Sequence, residues 1–236
     1  MSRFLYFVCM AIFLYSCEEE QLVISGANYT VNEVDSTITS NTKIERLIAP
    51  YKQELEEEMY TVIGFSRIDL VRAKPEGKLN NFVADITLDY IRDSFDFAHP
   101  SICLMNYGGL RAPLLEGPIL KKDIYQLMPF DNTIVVLKSP VTIMDSIIQY
   151  FKASGGEVIA GVSIHSDAFS FTEDKSVGDT VFIITTDYLA NGGDRMNFLQ
   201  HYFERKDLSV LLRDVLIQEV KRKDTIEGVL DQRVVL

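Results

Sequence analysis

Two short stretches of the chain carry residue types that can hold a ligand. In "NYGGLR", residues 106–111, an apolar run at 102–105 leads directly into Asn106, the pair Gly108 and Gly109, and Arg111. Glycines at a strand end let backbone N–H groups approach an anion closely, and an arginine adds a planar, permanently charged fork that suits phosphate. In "TTDYLANGGDRMNF", residues 185–198, Tyr188 is followed six residues later by Asp194 across Gly192 and Gly193. A tyrosine face can stack on a planar base, and a carboxylate can accept hydrogen bonds from both hydroxyls of a ribose. Each stretch also has a plainer reading: a tight turn whose arginine pairs with a surface acid, and a helix start capped by Asp194. Side by side they are complementary, one suited to an anion and the other to a nucleoside.

The elements that must position these loops follow from periodicity. An amphipathic helix starts near Lys43, with Ile44, Leu47, Ile48, Leu55, Met59 and Val62 as an apolar stripe opposite Glu54, Glu56, Glu57 and Glu58. Pro50 is expected to kink it, because proline lacks the N–H and crowds the turn before it. A strand over 64–72 comes next, then a helix over 82–95 with Phe82, Ile86, Tyr90 and Ile91 on one face, and an apolar strand at 102–105. Residues 122–127 suit a short helix, Pro129 and Phe130 turn the chain, and 133–137 form a β-branched strand. Ser139 as N-cap and Pro140 at the first helical position then open a helix whose Ile143, Ile147 and Phe151 share a face. Shorter strands lead to the run 180–186, and a helix over 208–223 and a strand over 228–236 close the chain. This irregular alternation predicts one mixed α/β (α+β) domain rather than a doubly wound sheet. A dinucleotide-type glycine fingerprint is absent.

Composition narrows the function further. The chain has 236 residues, 47% hydrophobic and 24% charged, an ordinary globular mixture with length for a sizeable core. Residues 1–16 read as a signal peptide, since Arg3 precedes an apolar run over 4–15 that is shorter than the roughly 20 residues of a membrane span. Ser16 before Cys17, with Leu14 three back, resembles a bacterial lipoprotein cleavage box. Cys17 is therefore expected to carry lipid and anchor an exported protein to the outer membrane, and Glu18, Glu19 and Glu20 look like a surface-export signal. Cys103 is then left without a disulfide partner. Residues 17–42, rich in Ser, Thr, Asn and acids, read as a tether with one short strand at 29–34. The mature chain has 22 basic against 34 acidic residues, a net charge of −12, which excludes a nucleic-acid partner for want of a basic face.

Four segments in order, "NFVADITLDYI", "NYGGLR", "GPILKKDIYQLMPFDN" and "YLANGGD", resemble the C-terminal domain of the 5′-nucleotidase family, which also includes UDP-sugar hydrolases and 2′,3′-cyclic phosphodiesterases. The resemblance runs from about residue 44 to 236. It implies a four-layer α/β/β/α domain that grips a nucleotide, while a separate metallophosphoesterase domain holds two metal ions and performs hydrolysis. By motif, it implies that Arg111 contacts phosphate, that Asn106 is the matching asparagine, that Tyr188 stacks on the base where the family has phenylalanine, and that Asp194 holds the ribose. The second aromatic of the clamp is expected early in "GEVIAGVS", where Val158 stands, so the base is expected to be stacked on one side only. A further phosphate-binding arginine is expected near the end of the helix after "LKSP", and Lys152 is the nearest candidate. His99, His165 and His201 fall in none of the D-x-H or G-N-H-[D/E] motifs of a dinuclear site. The expectation is a nucleotide-recognition component with no cofactor of its own, divalent metals residing only in a partner metallophosphoesterase chain. The alternatives are a stand-alone surface lipoprotein that binds nucleotides, and a structural descendant that has lost its ligand.

Overall fold

The computed structural model describes residues 31, 33, 35, 37–176 and 178–236. The signal peptide, Cys17 and most of the tether, including nearly all of the strand expected at 29–34, lie outside the described residues. Contacts divide the chain after Leu47, and the unit Ile48–Leu236 carries the fold. The division falls inside helix α1 (Thr42–Met59), which contains Pro50 and has no buried residue. The amphipathic helix read from the sequence forms, but its stripe of Ile44, Leu47, Ile48 and Leu55 stands exposed.

The remaining elements are β1 (Val62–Ser66), α2 (Lys78–Ser94), β2 (Ser101–Met105), β3 (Gly117–Leu120), α3 (Lys121–Leu127), β4 (Thr133–Pro140) and α4 (Ile143–Ser154). They continue as β5 (Val158–Ala160), β6 (Val162–His165), β7 (Ala168–Phe171), β8 (Thr180–Thr186), α5 (Asp187–Ala190), β9 (Glu204–Leu211), α6 (Leu212–Lys223), β10 (Thr225–Ile226) and β11 (Val234–Val235). The fold is mixed α/β. Among the described residues there are two three-stranded sheets, β10-β1-β3 and β11-β6-β7, and a five-stranded sheet in the order β5-β2-β8-β4-β9.

The five-stranded sheet is the structural centre. Every residue of β2 is buried, and β8 is buried except at Phe182, whose ring is partly covered. Strands covered on both faces read as continuous apolar runs rather than alternating ones, which is why "SICLM" and "VFIIT" lack a polar face. Helix α2 lies over β2 and β5 and packs on α6, which in turn rests on β1. Cys103 is buried in β2 as a free thiol, and burial pushes its ionisation far up, so it behaves as a small hydrophobe.

Several element boundaries differ from the periodicity reading because tertiary pairing outweighs a local signal, and the strand read over 64–72 is instead β1, Val62–Ser66. Helix α2 begins at Lys78, ahead of its apolar face, since Asn80 and Asn81 are buried and hydrogen-bonded. The Asn80 amide donates to the Ala73 carbonyl at 3.0 Å and the Asn81 amide to the Val229 carbonyl at 2.9 Å. Ser139 and Pro140 do not open a helix: β4 continues through both, with Pro140 opposite Thr180 of β8, and α4 starts at Ile143 after Thr142. A proline is tolerated at a strand's last residue, where the ladder ends. Residues 208–211 belong to β9 rather than to α6, because β9 finds an antiparallel partner in β4.

The closing strand shrinks to β11, which pairs with β6 and is held by the buried Arg233. Its guanidinium forks onto Asp85 of α2 at 2.6 and 3.0 Å, onto Asp231 at 2.8 Å, and donates to the Ile159 carbonyl at 3.2 Å. These carboxylates hold the charge of Arg233 above its ordinary range against the opposing effect of burial. Arg233→Met keeps most of the packed stem but strands Asp85 and Asp231, which remain partly solvated. It is expected to cost about 2 kcal/mol by urea denaturation. Asp85→Ala in the same background should add less than it costs alone, since the partner is already gone.

Candidate functional site

The register of the central sheet brings the chemically suggestive loops to one edge. Strand β2 runs parallel to β8, with Cys103 opposite Ile184, and β4 runs antiparallel to β8, with Ile134 opposite Thr186. The carboxyl ends of β2 and β8 and the amino end of β4 therefore share an edge. Ligand pockets in α/β sheets commonly form outside such strand ends.

The loop after β2 is a 3₁₀ turn, Tyr107–Gly109, braced from behind. Pairing of Met105 with Val158 sets Glu157 next to it, and the Tyr107 N–H donates to this buried carboxylate at 2.5 Å. Burial raises the ionisation of Glu157, opposed by that N–H and by Lys74, whose ammonium lies 3.8 Å away. Arg72 donates to the carbonyls of Tyr107 at 3.1 Å and Leu110 at 2.6 Å, and its guanidinium lies 4.5 Å from the centre of the Tyr107 ring. The Arg111 N–H donates to the Leu127 carbonyl at 2.9 Å. With its backbone fixed, Arg111 keeps an exposed guanidinium that donates to the Gly108 carbonyl at 3.2 Å and forms no ion pair with any described residue.

The loop after β8 is tighter. The Thr186 hydroxyl accepts from the Leu189 N–H at 3.4 Å and starts α5. Gly192 then takes φ +88°, a left-handed conformation that disfavours any side chain. A Cβ at Gly193 would lie 2.5 Å from the Tyr188 ring, so only glycine lets that ring fold over the loop. Asp194 and Arg195 also have positive φ, +51° and +64°, a conformation uncommon outside glycine and concentrated at functional loops. The geometry is held by Tyr150, whose hydroxyl donates to the Asp194 carbonyl at 2.7 Å. The Asp194 carboxylate accepts from the Asn106 amide and, at 2.8 Å, from the Tyr188 hydroxyl. Asn106 and Asp194, from separate loops, thus meet directly.

A third loop, residues 128–132, completes the wall. The buried Arg213 of α6 donates to the Met128 carbonyl at 3.3 Å and pairs with Asp131 at 2.5 Å, while stacking 4.3 Å from the Tyr125 ring centre. The Leu212 N–H donates to the Asn132 carbonyl at 3.0 Å, and the Thr133 N–H to Asp187 at 3.1 Å. This tethering leaves Phe130 half-exposed.

The three loops enclose a pocket of about 350 Å³ lined by Asn106, Gly108, Gly109, Arg111, Phe130, Asn132, Tyr188 and Asp194. That volume falls within the range of small-ligand sites. Gly192 and Gly193 shape the loop without lining the pocket, and Lys152 lies apart from it, ion-paired with Asp167. Val158 is fully buried in β5 and faces no ligand. A second aromatic ring, Phe130, shares the pocket wall with Tyr188 from a different loop. The signal for Phe130 and Asn132 lay in "PFDN", where proline and phenylalanine read only as a turn. Among the described residues, no group of three or more His, Cys, Asp or Glu side chains is arranged to hold a metal ion. His99 and His165 lie against backbone carbonyls, of Ser176 at 3.2 Å and Gln232 at 2.9 Å. The pocket combines a cationic fork beside bare backbone, two aromatic rings and a braced carboxylate.

Comparison with known proteins finds relatives of the same fold. Residues 55–140 match the family described as "5'-nucleotidase, C-terminal domain". The chain is 23% identical over 229 residues to the trifunctional nucleotide phosphoesterase protein YfkN of Bacillus subtilis, covering 83% of this chain and 15% of that protein. Among solved structures it resembles a 5′-nucleotidase precursor from Thermus thermophilus, with a TM-score of 0.67 and 21% identity over 82% of this chain and 43% of that one. It also resembles the NAD nucleotidase of Haemophilus influenzae, with a TM-score of 0.60 and 17% identity over 82% of this chain and 41% of the other. The chain thus spans under half the length of these relatives. Residues 55–140 thus match the 5′-nucleotidase C-terminal domain family, and the fold of the chain is similar to that domain's fold.

Proposed function

We propose that this domain is the nucleotide-recognition component of a split 5′-nucleotidase-type phosphohydrolase, with hydrolysis supplied by a separate metallophosphoesterase chain. The observation that carries the reading is Arg111: an exposed guanidinium without an ion-pair partner among the described residues, in a chain of net charge −11, beside Gly108 and Gly109. An anionic group is the natural partner for it. In the same pocket, Phe130 and Tyr188 offer ring faces to a base, and Asp194 with Asn106 offers polar atoms to sugar hydroxyls. The role of this chain's residues is to bind the phosphate, base and sugar. The metal ions of the partner would activate water and stabilise the leaving oxygen.

Calorimetry on the mature chain is expected to show AMP binding more tightly than adenosine. Arg111→Ala should abolish that difference, and Phe130→Ala should weaken both ligands by about fivefold, the size of one lost stacking contact. Equal affinity for AMP and adenosine in the wild type would contradict an anion role for Arg111. Adding the chain to a metal-loaded metallophosphoesterase that lacks a recognition domain should raise AMP hydrolysis, and Asp194→Ala should weaken the effect. Nucleotide binding with no response from any such partner would instead favour a stand-alone binding protein.

We further propose that the protein is exported and lipid-anchored through Cys17 to the outer membrane, a reading supported by the apolar run and the residues around Ser16. Labelled palmitate should be incorporated by the wild type in a bacterial host and not by Cys17→Ala.

A further inference from the structure

Asp194 is already engaged before any ligand arrives. The Asn106 amide of the loop after β2 donates to Oδ2. The Tyr188 hydroxyl donates to the other oxygen, Oδ1, at 2.8 Å. The same hydroxyl accepts from the Asp194 N–H at 3.2 Å, which locks phenol and carboxylate into a reciprocal pair within one loop. The contact with Asp194 holds the Tyr188 phenol above its ordinary ionisation range, so it stays a donor across the physiological range. Positive φ at Asp194 and the close approach of Gly193 to the ring leave the pair little freedom to rearrange.

A vicinal diol grips a carboxylate best when each hydroxyl finds its own open oxygen. Here each oxygen already accepts one hydrogen bond, Oδ2 from Asn106 and Oδ1 from the Tyr188 phenol. Each oxygen can still accept one more hydrogen bond, but a hydroxyl that reaches Oδ1 must share it with the phenol, and one displaced onto the phenol meets a neutral acceptor that holds roughly half as strongly as a carboxylate.

We infer that Tyr188 is a specificity-determining residue: by capping Asp194 Oδ1 it reduces the reward for a second sugar hydroxyl, so the pocket accepts 2′-deoxynucleotides nearly as well as ribonucleotides. The inference rests on the nucleotide reading of the pocket. A phenylalanine at this position would keep the ring face and free the oxygen, making the site selective for ribose.

The test is titration calorimetry of the mature chain with AMP and 2′-deoxy-AMP. The wild type is expected to bind the two within about threefold of each other, and Tyr188→Phe to widen the preference for AMP to about tenfold, the scale of one charge-assisted hydrogen bond. Wild-type discrimination of about tenfold or more overturns the inference while leaving the nucleotide reading intact. A Tyr188→Phe variant that melts like the wild type without a widened ratio also overturns it. Should the variant fail to fold, the wild-type ratio decides by itself. Absence of binding by either compound overturns both readings together.

Discussion

The backbone hydrogen bonding of β8, parallel to β2 on one side and antiparallel to β4 on the other, is the constraint on which the rest of this molecule depends. A slip of one residue would turn every side chain of β8 to the opposite face. Because both faces are buried, such a slip would displace the apolar contacts of Val181, Ile183 and Ile184. Hydrophobic burial therefore fixes the register, and the register brings residues 106–111, 130–132 and 188–194 together at one edge. The pocket is a consequence of that pairing rather than of any local sequence preference.

Behind the pocket lie bracing residues that do not line it. Glu157, Arg72 and Lys74 hold the turn after β2, Tyr150 holds Asp194, and Arg213 holds the segment carrying Phe130. Most of these contacts are hydrogen bonds to main-chain groups, so they set loop geometry without consuming the ligand-facing side chains. The strain of two consecutive non-glycine residues at positive φ is maintained in this surrounding. It orients a carboxylate that would otherwise point freely into solvent. The combination matches the view that binding sites are preorganised by their supporting residues.

The ionic features of the protein divide by location. Arg233 and Arg213 are buried, forked onto acids and carbonyls, and serve to tie the C-terminal segment and the α3–β4 connection to the core. Arg111 is exposed and paired with no described acid, though the chain as a whole is strongly acidic. The two buried guanidiniums are consumed by structural contacts, whereas that of Arg111 stands at the pocket wall.

Much of this was legible in the amino-acid order. Residues 180–186 read as a strand and are one, since a continuous β-branched run has few other solutions. The two loops announced themselves through Asn106, the glycine pairs, Arg111, Tyr188 and Asp194, because glycines and charged forks beside apolar strands are unusual locally. Boundaries at Ser139 and at 208–211 were not legible, since capping residues and helix formers there yield to strand partners far away in the chain. Phe130 was missed for the same reason: nothing in "PFDN" says which way a ring faces until Arg213 holds the segment against α6. Nor does the spacing of Tyr188 and Asp194 reveal that their side chains bond each other. The sequence by itself determined the chemical inventory and the strands that bury it, through composition and periodicity. Only the tertiary structure decided which groups meet and which are already occupied, because both depend on contacts between residues remote in the chain.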